Sequence, residues 1–577
     1  MFVMLIGNDT IVTDTVQTYE IPTIITLWFY PETARAQVPD MQPVKGDDRL
    51  IETFFLSPFA LLDYGGGQLS LVSRKGMDPR HTTLFLNGHR IDNPLLGYVN
   101  LAQLSPHPVD NISTSDHRLG STCINIASRV NQYTTPFSFV QFTWGDFETN
   151  VYNVGLTRPI TNDLGFYLNG SYVETAGYRI NSQYDLSSLY SNMYYNAIIP
   201  LRMDIMYASG EYGMHGGTLD SLQATGKNDF GDVALVFGND SHRAALYYTV
   251  NRNDYRGMST DSLYANVTRN YGIDINNQNI TNGYTIAYQL MGVVSGVKSD
   301  FVGEHTLRSL NARAAIQKSY RMVSLALGAH TEWYDERELL YAPHVAVDFF
   351  FSDAARLSAQ ISRNFRNPSL LELYGPTDIP HVYNWTGGNS ALLPEYVWQQ
   401  EISLCWSRSS ITLYRHGYKN MIVPCCGETS IPRNVASWQR TGMEGYITHV
   451  FHLAQDTSTQ SNTAISAGLS GNYTFTGDSL LSGPESYARG FVAFMRETRR
   501  FGLELIVRAE YVGRRWNELG HDEQPFTVLS AIAHIRFITL SFSIHFDNVL
   551  NKSYAYIDGY ENAPRNERFS ITWEFWD

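Results

Sequence analysis

The chain has 577 residues and a formal net charge of −14, from 42 basic and 56 acidic side chains. This acidic balance argues against a nucleic-acid-binding protein, which would carry a basic face. Only 17% of the residues are charged and 13% are aromatic. That composition suits strands that face both water and lipid, but it also suits a large soluble β protein.

The N-terminus does not fit a secretory signal. Residues 1–7, MFVMLIG, are apolar, but the stretch is short and no Lys or Arg precedes it. Because the later sequence indicates export, we favour a removed signal or a misassigned start over a protein that is not exported. No stretch approaches ~18 uninterrupted apolar residues, so a transmembrane helix is not expected.

Three segments follow one another along the chain. Residues 1–46 are polar with scattered β-branched residues and prolines, and we predict an extended tail. Residues 47–132 are predicted to form a compact unit with turns at Gly65-Gly66-Gly67 and at Asn87-Gly88, because Asn-Gly between apolar runs is the strongest short hairpin signal. From 133 to 577, strand follows strand.

The strands of residues 133–577 alternate in polarity. Every second residue from Phe569 to Phe575 is apolar, for example, and the residues between them are polar. Lipid-facing barrel strands require this alternation. Open sheets rarely exceed ~10 strands, and at about 20 residues per strand and connection the segment predicts a closed barrel of about 22 strands. We expect the polar stretch 251–284 to be an outer loop.

Several motifs then identify a family. Residues 64–106, YGGGQLSLVSRKGMDPRHTTLFLNGHRIDNPLLGYVNLAQLSP, resemble the plug of TonB-dependent outer-membrane receptors, and within that family they look closest to vitamin B12 (cobalamin) receptors. Four further segments resemble barrel motifs of the same family and occur in the family's order: FRNPSLLELYG (365–375), GGNSALLPE (387–395), NVASWQRTGMEG (434–445) and DNVLNKSYAYIDGY (547–560).

The resemblance implies an all-β protein in the bacterial outer membrane. It would be an antiparallel transmembrane β-barrel of about 22 strands, formed by residues 133–577, with an N-terminal plug domain, residues 47–132, inside its lumen. Two departures from the family bear on plug gating. The second plug corner is shortened to HRLGSTCINIASR (117–129), and Lys75 stands between Arg74 and Gly76. In the family, the corner arginines pair with carboxylates of the barrel.

An energy-coupling segment, the TonB box, is expected near the N-terminus. Strand addition to a periplasmic partner needs a short extended stretch, and two stretches qualify. We prefer Thr23, Ile24, Ile25 and Thr26 over the stretch around Ile11 and Val12. The alternative is a tail whose β-branched residues occur by chance. The partner implied by the resemblance is the TonB-ExbB-ExbD complex.

Two plug loops are the predicted ligand contacts, by resemblance to the B12 receptors. Glycines let a backbone approach a bulky ligand closely, and an exposed leucine pair beside a polar residue has the composition of a ligand pocket. The alternative is that both loops are plain turns packed inside the barrel. The predicted residues are Tyr64, Gly65, Gly66, Gly67, Gln68 and Leu69 in one loop and Asn93, Leu95, Leu96 and Tyr98 in the other.

His381 is a further candidate, together with Tyr383 and Trp385. Haem receptors of the family have a similar arrangement in which a loop histidine ligates iron, and imidazole is a common haem ligand. The alternative is a solvated loop side chain. The other histidines show no metal-ligand spacing, so we expect neither a metal site nor a cofactor of the protein's own.

The four cysteines are too few for a disulfide scaffold. The sequence leaves open whether Cys405, Cys425 and Cys426 form one loop disulfide or remain free thiols. No Gly-x-Ser-x-Gly or His-Glu-x-x-His motif is present, so we do not expect an enzyme.

The function implied is uptake of a bulky, scarce nutrient. A corrinoid is the first substrate hypothesis, and haem or an iron siderophore is the second. A hypothesis of another class is a degenerate receptor that serves as a structural or binding component of an outer-membrane complex. The expected partners are the energy-coupling complex, outer-membrane lipid and the ligand, and the sequence leaves open whether a surface lipoprotein caps the barrel.

Overall fold

A computed structural model gives the fold. It describes residues 41, 48–115, 122–130, 136–196, 198–216, 223–239, 241–257, 263–335, 338–352, 354–376, 387–423, 431–456, 461–476, 483–516 and 522–576. The helices in these ranges are too short or too polar to span a bilayer.

Twenty-two antiparallel strands form one closed barrel, as the sequence predicts. The last strand pairs with the first, for example Phe569 with Trp144, so the sheet has no open edge. The barrel strands are β7 (Phe137–Gly145), β8 (Thr149–Pro159), β9 (Leu164–Thr175), β10 (Tyr184–Tyr195), β11 (Leu201–Gly213), β12 (Thr225–Gly238), β13 (His242–Arg256), β14 (Leu263–Thr281), β15 (Tyr284–Ser299), β16 (Gly303–Ser319), β17 (Val323–Tyr334), β18 (Leu340–Ser352), β19 (Ala355–Arg366), β20 (Glu395–Trp406), β21 (Ser409–Val423), β22 (Arg433–Asp456), β23 (Ser461–Thr476), β24 (Ser486–Glu497), β25 (Phe501–Val512), β28 (Phe526–Phe537), β29 (Leu540–Asp547) and β32 (Asn566–Trp576).

The two ends of the barrel differ in their connections. At one end every connection has two to five residues, and at the other end the connections reach 28 residues, between β19 and β20. Short turns face the periplasm in outer-membrane barrels, so we call the end with the long connections the outer end. Its connections contain α1 (Leu370–Tyr374) and two short ribbons, β26 (Arg515–Trp516) with β27 (Asp522–Glu523) and β30 (Ala555–Ile557) with β31 (Tyr560–Glu561).

The prediction of an outer loop over residues 251–284 is wrong. Strand β13 continues to Arg256 and β14 begins at Leu263, so the connection covers residues 257–262 only. The polar residues that suggested a loop, such as Asn253 and Asn270, are buried and alternate with exposed residues along the strands. A polar face is compatible with a strand here because it points into the lumen and not into lipid.

In the described part of residues 48–130, six plug strands lie inside the barrel, with 3-10 turns at Leu50–Phe54, Pro79–His81 and Leu101–Gln103. Strands β1 and β2 pair with each other, and the order in the second sheet is β4-β3-β6-β5. A core of apolar plug residues packs against barrel tyrosines such as Tyr167 and Tyr190. The plug strands are β1 (Phe59–Asp63), β2 (Ser70–Arg74), β3 (Thr82–Leu86), β4 (His89–Ile91), β5 (Val109–Ser115) and β6 (Thr122–Ser128).

The hairpin predicted at Asn87-Gly88 is confirmed. Strands β3 and β4 are antiparallel, with Leu86 opposite His89. Both turn residues have positive φ, 50° at Asn87 and 87° at Gly88, as a two-residue type I′ turn requires.

Substitution of a lipid-facing residue tests the barrel assignment. Ile402 on β20 is 54% exposed and lies on the outer face of the barrel. We expect Ile402→Arg to lower the free energy of unfolding by up to about 2–4 kcal/mol, because a guanidinium would be placed in hydrocarbon. Urea unfolding in lipid vesicles measures the change. Ile402→Leu is the matched control, and equal stability of the two variants would contradict a membrane-facing position.

Candidate functional site

The glycine loop, residues 64–69, joins β1 to β2 at the outer end. The Tyr64 amide donates to the Leu69 carbonyl over 2.9 Å, and the Gln68 amide donates to the Gly65 carbonyl over 3.0 Å. The φ angles at Gly65 and Gly67 are 75° and 73°, in the left-handed region that favours glycine. The loop is therefore a preformed tight turn with the bare backbone of its glycines on the surface of the plug.

The second plug loop, residues 93–98, is covered. Its carbonyls at Pro94 and Leu95 each accept a 3.0 Å hydrogen bond from the first two amides of α1, at Leu370 and Leu371. Leu95 and its neighbour Leu96 are buried. The expectation that these leucines are exposed is therefore wrong, because helix α1, from the connection between β19 and β20, packs on the loop that carries them.

Helix α1 is short but well anchored. Ser369 and Glu372 form a capping box, in which each side chain accepts a hydrogen bond from the other's backbone amide. The Glu372 carboxylate also lies 2.8 Å from the Arg366 guanidinium and 3.8 Å from that of Arg80 in the plug. The helix that covers the second loop is thus tied to both the barrel and the plug.

Two cavities border the glycine loop, and a third, of about 640 Å³, is lined by barrel residues alone and touches no residue of the loop. The smaller of the two lies above the glycine loop and has a volume of about 30 Å³. Its polar groups are amides and phenols, and no charged side chain lines it. The lining residues are Tyr64, Gln68, Leu69, Leu96, Asn100, Tyr212, Met214, Asn253, Tyr255 and Tyr560.

The larger cavity, about 210 Å³, lies on the other side of the glycine loop and touches Gly65 and Gly66. Five acidic and three basic side chains line it. Two of the bases are paired: Arg49 lies 2.7 Å from Asp63, and Arg568 bonds Asp48 and Asp547. The cavity therefore has an acidic excess.

Buried ion pairs join the plug to the barrel wall. Arg74 donates to both carboxylate oxygens of Glu444 over 3.0 Å, and Lys75 lies 2.7 Å from Glu401. The barrel guanidinium of Arg440 donates to the Gly76 carbonyl, and a Cβ at Gly76 would lie 1.9 Å from that guanidinium. The departure at Lys75 thus keeps the pairing with barrel carboxylates. Residues 117–121 of the shortened second corner lie outside the described residues, and most of the remainder forms strand β6.

Three further pairs cross between plug and barrel. His81 lies 2.7 Å from Glu395, and Arg90 lies 3.0 Å from Glu332. His89 lies 2.9 Å from an aspartate of β12. The pairs are spread around the lumen and hold the plug against β12, β17, β20 and β22.

Some predicted residues cannot be placed. The two TonB-box candidates (Ile11, Val12, Thr23, Ile24, Ile25 and Thr26), the haem-site candidates (His381, Tyr383 and Trp385) and two cysteines (Cys425 and Cys426) lie outside the described residues. Cys405 is a free thiol. In the described part of the chain, no group of three His, Cys, Asp or Glu side chains could hold a metal ion.

Sequence reasoning missed the side chains that surround the glycine loop. These are Tyr178, His215 and Tyr560, which come from three different outer connections. Burial raises the pKa of the Tyr178 phenol, and the nearby Asp63 carboxylate raises it further, so this hydroxyl stays a neutral donor. No local motif marks Tyr178 or His215, since each is an isolated polar residue in an outer connection. Tyr560 ends the motif at 547–560, but that motif gives no sign of a contact with the plug.

Removing one carboxylate tests the plug–barrel pairing. Arg74 and Glu444 are both almost fully buried, so Glu444→Gln leaves a buried guanidinium without its counter-charge. We expect a loss of about 3–5 kcal/mol in plug stability, read as faster hydrogen exchange over residues 70–77. The control is Glu211→Gln, which removes an exposed pair with Lys227 and should cost less than about 1 kcal/mol. Equal exchange in the two variants would contradict the assignment.

Comparison with known proteins shows what the chain is similar to. A sequence model described as "TonB dependent receptor-like, beta-barrel" matches residues 86–549, most of the chain. A search of curated proteins found no match.

Solved structures give the same fold. The siderophore receptor PirA from Acinetobacter baumannii is 13% identical with a TM-score of 0.72, and the match covers 93% of this chain and 98% of that one. A variant of the ferric enterobactin receptor PfeA from Pseudomonas aeruginosa is 14% identical with a TM-score of 0.73, and the match covers 94% of this chain and 99% of that one. The FrpB iron transporter from Neisseria meningitidis is 12% identical with a TM-score of 0.73, and the match covers 92% of this chain and 98% of that one. At these identities the structural likeness shows the fold alone. Because the family model covers most of the barrel, the chain belongs to the TonB-dependent receptors, the transporters of the bacterial outer membrane.

Proposed function

We propose that this receptor binds and imports a corrinoid. The supporting observation is the neutral lining of the cavity above the glycine loop, where Gln68, Asn100 and Asn253 offer amides and four tyrosines offer hydroxyls. A corrinoid is a bulky macrocycle with amide side chains around its edge. Amides and hydroxyls that both donate and accept hydrogen bonds are complementary to such an edge. The resemblance of the plug loops to those of B12 receptors supports the same ligand.

An iron siderophore is the second candidate. The solved structures named above are described as siderophore, ferric enterobactin and iron receptors, and haem belongs with this alternative through His381. An anionic chelate would need cations that are free to face it. The larger cavity has more carboxylates than guanidinium groups, and Arg49 and Arg568 are paired. This charge balance favours the neutral corrinoid over an anionic siderophore.

The coupling mechanism is proposed as follows. Ligand bound at the outer end rearranges the plug, and the TonB box becomes available to the TonB-ExbB-ExbD complex, which pulls on it using the inner-membrane proton gradient. The buried pairs of Arg74 and Lys75 with the barrel would resist this pull. Both pairs join the plug to the barrel wall. The pulling force must therefore either break the two pairs or shift the whole plug relative to the barrel.

Binding of cyanocobalamin tests the ligand. We expect calorimetry on the purified full chain to show binding at micromolar or lower Kd, and Asn253→Leu to weaken it about tenfold, because a buried amide partner of the ligand is lost. The control is Tyr248→Phe, on the outer face of the same strand, with unchanged affinity. Absence of binding to the wild type at micromolar concentration would contradict the corrinoid assignment, and binding of a ferric siderophore instead would support the second candidate.

Deletion of residues 9–26 separates transport from a purely structural role. The deletion removes both TonB-box candidates, so we expect cells to lose accumulation of labelled cyanocobalamin while the purified variant still binds it. The measurement is uptake in cells beside calorimetry on the same variant. Unchanged accumulation would contradict energy-coupled import and favour a degenerate receptor with a structural or binding role.

A further inference from the structure

His215 closes the space above the glycine loop. It lies in the connection between β11 and β12 and is fully buried. The side-chain amide of Gln68 approaches its Nδ1 to 2.7 Å and donates to its carbonyl over 3.1 Å. One plug residue therefore holds both the ring and the backbone of one outer connection.

The same ring continues a chain of hydrogen bonds into two other connections. Because the Gln68 amide nitrogen only donates, Nδ1 accepts, and the ring proton lies on Nε2. Nε2 is 3.2 Å from the Tyr178 hydroxyl, which donates to the Glu561 carbonyl over 2.5 Å. Next to it, the rings of Tyr64 and Tyr560 meet edge to face at 4.7 Å. Three outer connections are thus fastened to the glycine loop around one imidazole.

The bare glycine backbone is used by this cluster. A Cβ on Gly65 would lie 2.6 Å from the Tyr178 hydroxyl, and a Cβ on Gly66 would lie 3.0 Å from Cε1 of His215. The sequence suggested that the glycines leave room for a ligand. In the structure, this room is filled by His215 and Tyr178.

The cluster also separates the two cavities. Tyr64 and Gln68 line the smaller cavity, whereas Gly65, Gly66 and Tyr178 line the larger one. Their volumes, about 30 and 210 Å³, are both below the ~300–1,000 Å³ of typical ligand sites. The third cavity has no plug residue in its lining, so a bulky ligand can rest on the plug only if these two cavities merge. His215 contacts a lining residue of each, Gln68 of the smaller and Tyr178 of the larger.

We propose that His215 is the gate residue of the ligand site, and that its displacement from Gln68 precedes binding of a bulky ligand. This inference rests on the proposed function only in requiring that the ligand be bulky. A ligand that merges the cavities takes the place of the imidazole against Gln68. Ligand binding at the outer end thereby changes the contacts of the glycine loop, because Gln68 loses its hydrogen bonds to His215. A closed gate lowers the apparent affinity by the fraction of molecules that are open, so removing the gate raises it.

Hydrogen exchange without ligand tests the gate directly. In the purified full chain, His215→Ala should speed amide exchange over residues 64–70 by about tenfold, since the loop loses the contacts that hold it closed. His215→Asn should restore most of the protection, because its side-chain oxygen offers Gln68 an acceptor near the position of Nδ1. The control is His242→Ala, at a short turn where the ring bonds an asparagine side chain. Unchanged exchange in His215→Ala would overturn the proposal.

Ligand binding gives the second readout. With cyanocobalamin as the probe, His215→Ala should raise the association rate constant several-fold and His215→Asn should leave it near the wild-type value. Wild-type hydrogen-exchange protection in the barrel strand β20 would show that His215→Ala is folded. An unchanged or lower association rate constant in that folded variant would overturn the proposal that His215 is a gate. If cyanocobalamin does not bind the wild type, the corrinoid assignment fails, whereas the exchange experiment still decides the gate.

Discussion

The closed hydrogen-bond ladder of the barrel is the constraint from which the rest of the structure follows. Inside a membrane each backbone amide and carbonyl must find a partner within the protein, and a closed antiparallel sheet is one of two ways to meet that condition. Closure between β32 and β7 also fixes the lumen, because a barrel of 22 strands is wide enough to hold a folded domain. The plug lies in this lumen and packs against the barrel wall.

The chemistry of the plug–barrel contact follows from the same geometry. Inward-facing strand residues are polar. A domain buried among them must place an opposite charge beside each buried charge of the barrel. Arg74 and Lys75 in the plug face Glu444 and Glu401 in the barrel. Packing of apolar side chains holds the plug core together, whereas paired charges fix the position of the plug in the lumen. Removing one partner of such a pair leaves an uncompensated charge buried at the contact.

The outer end of the molecule is closed in two places. Helix α1 covers the loop at Leu95 through backbone hydrogen bonds, and the cluster around His215 covers the glycine loop. The two covers come from different connections and touch different plug loops, so a ligand of corrinoid size must rearrange the outer end before it reaches the plug. This arrangement explains why the two cavities that border the glycine loop are small.

Some features could be predicted from the sequence because they depend on local patterns. Period-two alternation, spacing of strands and the Asn87-Gly88 turn signal predict the strands, the closed barrel and the β3–β4 hairpin, and each is a property of neighbouring residues. Local polarity led to the wrong prediction of a loop at residues 251–284, where β14 presents a polar face to the lumen. A loop and a strand with a polar inner side have similar compositions, and only the closed barrel distinguishes them.

Local patterns along the chain are enough to predict the barrel, the separate turn-rich unit and the bare glycine turn at its apex. The tertiary structure alone decided what lies over that turn. Gln68 and His215 are 147 residues apart, and they meet because the register of the closed sheet brings the connection after β11 above the apex of the plug. The same holds for Leu95 under α1. Contacts between distant connections depend on closure and register, and no pattern within either connection records them.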